Sequence, residues 1–219
     1  MFKLKLLYQF KINNDVKKFV NLNFSLIYYQ VYMNYLIVID FEANCTENGK
    51  LSPQEITEFS AVPICIDTKS IMDDKIFHKY CKIDNKLTPF ATQLTGITQE
   101  MCDNGVCFKK SLKLFNKWCH ENKFTKKNSI IVTCGNWDFL TAFPNQCKYS
   151  NVTIPNYCKD WVNVKDIYTQ TYQKKSKSMV KMLDELNIKL EGSHHSGIDD
   201  SKNIAKICLK ILEDGGVFA

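Results

Sequence analysis

Residues 35–41, YLIVIDF, form an almost unbroken apolar run, the pattern of a strand covered on both faces. A loop punctuated by Gly49 and Pro53 follows, after which residues 55–66 and 76–83 read as two further strands. Together the three predict a meander. Thr88-Pro89 marks a helix start with proline at its first position. The segment QLTGITQEM then passes through Gly96 to a second helix start at Thr98. Apolar residues at 108, 112, 115, 118 and 119 fall on one face of a helix over 108–120. Residues 129–133 predict a short buried strand and residues 161–164 another. The stretches 178–186 and 200–212 read as amphipathic helices, the second ending before Gly215-Gly216.

A meander followed by strands interleaved with helices predicts an α/β sandwich with a mixed central β-sheet flanked by helices. Residues 35–216 make one domain, without an internal repeat. Residues 1–34 differ in character, being rich in Asn, Lys, Tyr and Phe with no sustained period. They are too short to fold alone and form an N-terminal extension, either packed on the domain or a disordered arm.

Composition narrows the class. The chain has 219 residues and is 45% hydrophobic, enough for one substantial core and far from a disordered profile. Its ten cysteines contain no C-x-x-C, so they lack zinc spacing. Lys3, Lys5 and Lys11 break up the apolar start, which therefore does not read as a secretory signal. The cysteines are accordingly expected as reduced, mostly buried thiols. An intracellular protein is expected, in cytoplasm or nucleus, with a mitochondrial location also open. The richest apolar window, 19–39, is interrupted by Asn21, Asn23, Gln30 and Asn34, so no membrane partner is expected. Net charge is +6, and all 29 basic residues are lysine. Contacts to a phosphate-bearing partner must then come from lysines, hydroxyls, backbone N–H groups and metals, without arginine forks.

Several acids break the apolar pattern. Asp40 and Glu42, two positions apart on a strand, share one face, where like charges repel and desolvation is costly. Asp138 follows the 129–133 strand and its CGNW turn, beyond the carboxyl end where ligands tend to bind in α/β sheets. Helical steps from Asp200 reach Ile204, Ile207 and Ile211, an inward stripe. Steps from Asp199 reach Asn203, Lys206 and Lys210, read as the solvent face, so Asp199 is a cap or surface group. His195 stands five residues before Asp200 in the run GSHHSG. Hard carboxylate oxygens suit Mg²⁺ or Mn²⁺ rather than zinc. Two such ions about 4 Å apart can clamp the attacking and leaving oxygens of a phosphodiester displacement, with a histidine taking the proton from water. Taken singly, an Asp after a strand is more often a turn residue or helix cap, and a histidine beside glycine a surface residue. The pair Asp40/Glu42 at the end of a buried strand, by contrast, is costly without a partner.

The motifs D-F-E-A at 40–43, N-W-D at 136–138 and H-x-x-x-x-D from His195 to Asp200 resemble the three exonuclease motifs of the DEDDh superfamily. VIDFEANC, QEITEF, QLTGITQ, CGNWD and HSGIDDSKNIA, in this order, are similar to signatures of the Eri-type 3′→5′ exoribonucleases. That resemblance implies an RNase H-like (exonuclease) fold, two Mg²⁺ ions with Mn²⁺ as a substitute, and hydrolysis of RNA 3′ ends to nucleoside 5′-monophosphates. It implies Asp40, Glu42, Asp138 and Asp200 as metal ligands and His195 as general base, with His194 a competitor at the wrong spacing. Glu42 and the backbone of Ala43 would lie near the terminal nucleotide. Leu94, Ile97 and Trp137 are apolar groups that would stack on its base, or else ordinary core. Single-stranded 3′ ends or overhangs are the expected partner, with structured RNA also open. Residues 1–34 are too short for the SAP domain some members carry, so recognition through one is not expected. Lys174, Lys175 and Lys177 are candidate replacements for the missing arginines, or simply a solvated cluster. Pro144 should shorten or kink the helix expected after Asp138. A DNA-directed exonuclease and a non-enzymatic RNA-binding protein on the same fold are the alternative readings.

Overall fold

The computed structural model describes residues 33–218, apart from 50, 176 and 177. The expectations for residues 1–32 and for Lys177 lie outside the described residues.

The apolar run becomes β1 (Tyr35–Ala43), followed by β2 (Ile56–Cys65), β3 (Ser70–Ile71), β4 (Phe77–Lys82), β5 (Val106–Cys107), β6 (Ser129–Thr133) and β7 (Trp161–Asn163). They form one mixed sheet in the order β5-β4-β2-β1-β6-β7, with β3 paired to β2. The meander is present: β1 pairs antiparallel with β2, and β2 antiparallel with β4. The later strands β6 and β7 run parallel to β1. The helices are α1 (Pro89–Thr95), α2 (Gln99–Asp103), α3 (Phe108–Glu121), α4 (Phe143–Tyr149), α5 (Val164–Tyr172), α6 (Met179–Glu185) and α7 (Gly197–Glu213).

Alternation along the strands sorts the core into two layers. Leu36, Val38, Val62 and Ile64 point to one face, where Ile204, Ile207 and Ile211 of α7 and the apolar sides of α5 and α6 cover them. Ile37, Ile39, Phe41, Phe59 and Ala61 point to the other, against Phe108, Leu112 and Phe115 of α3. The predicted two-sided covering of β1 is thus what the fold provides. Asp40 and Glu42 continue the α7-facing row at the carboxyl end of β1, where α7 begins.

Several local expectations change. Strands β3 and β5 have two residues each, too short to leave a period in the sequence. Val164 opens α5 instead of closing β7: Asn163 caps the helix through its side chain, and Val164, Ile167 and Tyr168 form its buried stripe. Helix α7 starts at Gly197, three residues before the first position of its apolar stripe. Asn203 is not on the solvent face but fully buried, its side chain accepting from Glu191 N–H and donating to Glu191 O and Asp199 O. The helical path expected after Asp138 is irregular at Pro144, where a π-helical geometry changes to α. A π-helical turn over Asp138–Ala142 leads directly into α4, which is only seven residues long and carries Pro144 in its first turn. All ten cysteines are free, and five of them are buried.

Phe115, fully buried and stacked among Phe59, Phe77 and Trp118, fixes α3 on the sheet. Phe115→Ala is expected to cost about 3–5 kcal/mol in urea unfolding. A loss below about 1 kcal/mol would mean that this layer repacks freely.

Candidate active site

Three places in the fold bring the four predicted acids to one cleft. Asp40 and Glu42 come from β1, Asp138 from the turn after β6, and Asp200 from the first turn of α7. The cleft has a volume of about 390 Å³ and is also lined by Ala43, Leu94, Trp137, His194 and His195. Carboxylate oxygens of Asp40, Glu42 and Asp200 lie within 4.8 Å of one another. Asp138 is tied to the same edge, its Oδ1 accepting the Phe41 N–H at 3.1 Å.

Backbone features aim these groups. The β1–β2 register shifts between Glu42 and Ala43, a bulge that bends the strand at the site. The turn after β6 is held by Asn163, whose Oδ1 accepts the Gly135 N–H and whose Nδ2 donates to Asn136 Oδ1. His195 has a φ of 69°, unusual for a residue with a Cβ, and its N–H donates to Asp200 Oδ2 at 2.9 Å. His194 Nδ1 lies 3.0 Å from that same oxygen, and the two imidazoles stack with centroids 3.9 Å apart. Both histidines therefore reach the cleft, and a nitrogen of each lies within 4.8 Å of Asp200.

The electrostatics follow from crowding. Burial, then Asp138, Glu42 and Asp200, pushes the Asp40 carboxyl well above the usual range. Burial and then Glu58 raise Glu42 to about 9. Burial raises Asp138 to about 6, against the opposing Phe41 N–H. Asp200 is raised by burial and held back by the His195 N–H and by His194. Burial and His194 lower the His195 pKa, so its ring is neutral at neutral pH. The donors are oxygen-rich, mutually repelling and partly desolvated. They fit a divalent cation, since a cation would offset the cost of burying these carboxylates and the repulsion that adds to it at Asp40 and Glu42.

The remaining predicted residues divide. Trp137 is 38% exposed and, with the half-buried Leu94, lines the cleft. Ile97 does not: it is 2% exposed and packs with Ile83, Leu87, Ala91 and Cys102, because the left-handed Gly96 ends α1 and turns the chain inward. Lys174 pairs with Glu185 at 3.0 Å, whereas Lys165, which the sequence reading passed over, lines the cleft.

Three further groups were also missed. Glu55 accepts the N–H groups of Asp84 and Asn85, and Asn44 Oδ1 accepts that of Thr88. Together they hold the loop that delivers α1 and Leu94 to the cleft. Glu58, cross-strand from Glu42, is 1% exposed. Its signal was a charge inside the otherwise apolar and small run ITEFSAVPI.

Comparison with known proteins gives a consistent picture. A family model described as Exonuclease matches residues 37–208. ERI1 exoribonuclease 3 of Homo sapiens is 36% identical over 190 residues, covering 84% of this chain and 56% of that protein. The 3′-5′ exoribonuclease 1 of Homo sapiens is 35% identical over 190 residues, covering 84% and 54%. The chain thus spans about half the length of the curated relatives it matches. The nuclease domain of 3′hExo, a DEDDh family member solved bound to rAMP, aligns with a TM-score of 0.79 at 34% identity, covering 84% of this chain and 94% of that one. A 3′-exonuclease solved in 3′-end specific recognition of histone mRNA stem-loop aligns with a TM-score of 0.80 at 33% identity, covering 85% and 84%. The mixed sheet flanked by helices is therefore that of the DEDDh (RNase H-like) exonuclease domains.

The raised carboxyl pKa values set a pH dependence. A carboxyl that binds its proton more tightly when folded stabilises the fold below its unfolded pKa, and that stability is lost as pH rises through the folded pKa. For Glu42 the window runs from 4.5 to about 9. In chelator, the melting temperature by circular dichroism is expected to fall from about pH 5 to about pH 8, and Glu42→Gln to raise it at the upper end. A melting temperature that climbs across this window, or a destabilised Gln variant at about pH 8, would contradict the electrostatic account.

Proposed function

This chain belongs to the exonuclease family, and we propose that it removes nucleotides one at a time from the 3′ end of RNA, releasing nucleoside 5′-monophosphates. One observation carries the reading: Asp40, Glu42, Asp138 and Asp200, from three separate places in the chain, line one cleft together with His195. The naming of the relatives as exoribonucleases supports RNA as substrate. The stem-loop complex of one structural neighbour makes structured 3′ ends a second candidate.

Asp40, Glu42, Asp138 and Asp200 would hold two Mg²⁺ ions, or Mn²⁺ in their place. Bound there, the ions would lower the pKa of the attacking water and offset charge on the departing 3′ oxygen. The chain's own groups do the rest. His195, neutral because burial and His194 lower its pKa, accepts the water's proton on its imidazole. Its N–H bond to Asp200 fixes the backbone from which that ring projects. His194 is engaged by its Nδ1 with Asp200 and so serves as an orienting group. Trp137 and Leu94 offer apolar faces to the terminal base, and the backbone at Ala43 lies beside its sugar. Lys165 brings a positive charge to a cleft otherwise dominated by carboxylates, where the RNA backbone must enter. The domain over residues 35–216 carries all of these groups, with residues 1–34 as an extension to it.

A 5′-labelled oligoribonucleotide incubated with Mg²⁺ is expected to give a ladder shortening from the 3′ end, abolished by EDTA. Persistent digestion in EDTA, or no digestion with any divalent ion, refutes the proposal. His195→Ala should lower kcat by about 10²–10⁴-fold while RNA still binds. Trp137→Ala should instead raise KM by about 10-fold, the worth of one stacked base. Competition between matched RNA and DNA strands decides the substrate, and a DNA preference would replace the RNA reading with the DNA-directed one.

A further inference from the structure

We infer that Glu58 is a positioning residue that sets where α7 begins, and thereby where Asp200 and His195 stand relative to Asp40 and Glu42. The contact itself is a feature of the fold, while its consequence for turnover rests on the proposed nuclease function.

The first N–H groups of a helix have no partner within it and are commonly capped by the side chain just before the first turn. Ser196 occupies that position in α7 and makes no such bond. A carboxylate from the middle of the sheet takes its place. Glu58 Oε2 accepts the Gly197 N–H at 2.9 Å, and Oε1 accepts the Ile198 N–H at 3.1 Å, across 139 and 140 residues of sequence. Oε1 also lies 2.7 Å from His78 Nε2 on β4. The negative charge faces the positive end of a 17-residue helix, which favours it there.

Close approach is built into the sequence. A Cβ at Gly197 would meet Glu58 Cδ and Oε2 at 3.1 Å and the Asp40 carbonyl oxygen at 3.4 Å. Glycine is what lets α7 sit this tightly on β1 and β2. Ser60, one face-step along β2, fastens the same corner: its Oγ lies 2.9 Å from Asp40 O, 2.8 Å from Gly197 O and 2.7 Å from Ser201 Oγ. Asp200 follows Gly197 by three residues and His195 precedes it by two, so a shift of this corner moves both.

Two other roles fit the contacts less well. Both Glu58 oxygens are committed to N–H donors and His78, so neither is aimed at a cation in the cleft. A role limited to fold stability would leave the site's geometry unchanged once the protein is folded. Positioning makes a different demand, because a displacement of about 1 Å in a catalytic group can cost about 10²-fold in rate.

The test uses the full chain and Glu58→Gln, which keeps the side chain's length but replaces one acceptor oxygen with a donor. Amide hydrogen exchange reads the contact directly, since protection at Gly197 and Ile198 has no intrahelical source. The variant is expected to lose about 10-fold or more of that protection while Ile204 and Ile207 stay protected. Calorimetric Mn²⁺ affinity should fall several-fold, and kcat about 10-fold or more at saturating Mg²⁺, with KM for RNA nearly unchanged. Retained protection at Gly197 and Ile198 would show that Glu58 is not the cap. Lost protection with wild-type Mn²⁺ affinity and kcat would show that the cap does not position the site. Should the variant melt α7 as a whole, Ser60→Ala loosens the same corner more gently and must show the kcat loss with unchanged KM, or the assignment fails. Exchange and Mn²⁺ binding do not require activity, so an inactive wild-type protein would refute the nuclease reading while these two measurements still decide the role of Glu58.

Discussion

Asp40, Glu42, Asp138 and Asp200 bring four like charges into one partly desolvated cleft, and Glu58 adds a fifth beside Glu42. Burial raises the pKa values of the four cleft carboxyls, and repulsion from neighbouring carboxylates raises Asp40 and Glu42 further. The surrounding structure opposes that repulsion with directed dipoles. The Phe41 N–H points at Asp138, the His195 N–H at Asp200, and the Gly197 and Ile198 N–H groups at Glu58. The four carboxyls still line the cleft itself. Such an arrangement suits a cation far better than it suits an empty cleft.

The charge problem also explains why the site sits where two layers of the fold meet. The α7-facing row of β1 begins with Leu36 and Val38, buried against α7, and turns acidic only at Asp40 and Glu42. Upstream the helix and sheet are joined by apolar contact. Downstream the contact is polar, made by Glu58, Ser60 and Ser201. A single helix therefore supplies both the core that anchors it and the carboxylate that completes the cleft. On the far side, Glu55 and Asn44 hold the loop before α1, so that a second wall carrying Leu94 is fixed by hydrogen bonds rather than by a continuous strand. Rigid placement of both walls is what a site needs if it is to hold groups at set distances.

The main elements were legible because their residues repeat at strand or helix period over many positions. Tyr35–Ala43, Ile56–Cys65 and Phe108–Glu121 all appear close to where their patterns placed them. The four acids were legible for the converse reason, since they interrupt or end an apolar pattern, and the motif order then tied His195 to them. Period says nothing about strands as short as Ser70–Ile71 or Val106–Cys107, whose existence depends wholly on the partner strand. Nor does it separate Ile97 from Leu94: both are apolar residues of one short segment, yet one enters a core and the other a cleft.

The sequence by itself determined the two-faced sheet, the family-like order of the acids and the inward phase of Asp200, because each is written in local spacing. Only the tertiary structure decided that Asn203 is buried, that Lys165 rather than Lys174 reaches the cleft, and that Glu58 caps a helix 139 residues away. Each of those facts is a contact between segments far apart in the chain. A polar residue's burial or partner depends on what the rest of the molecule places opposite it, and no local pattern encodes that.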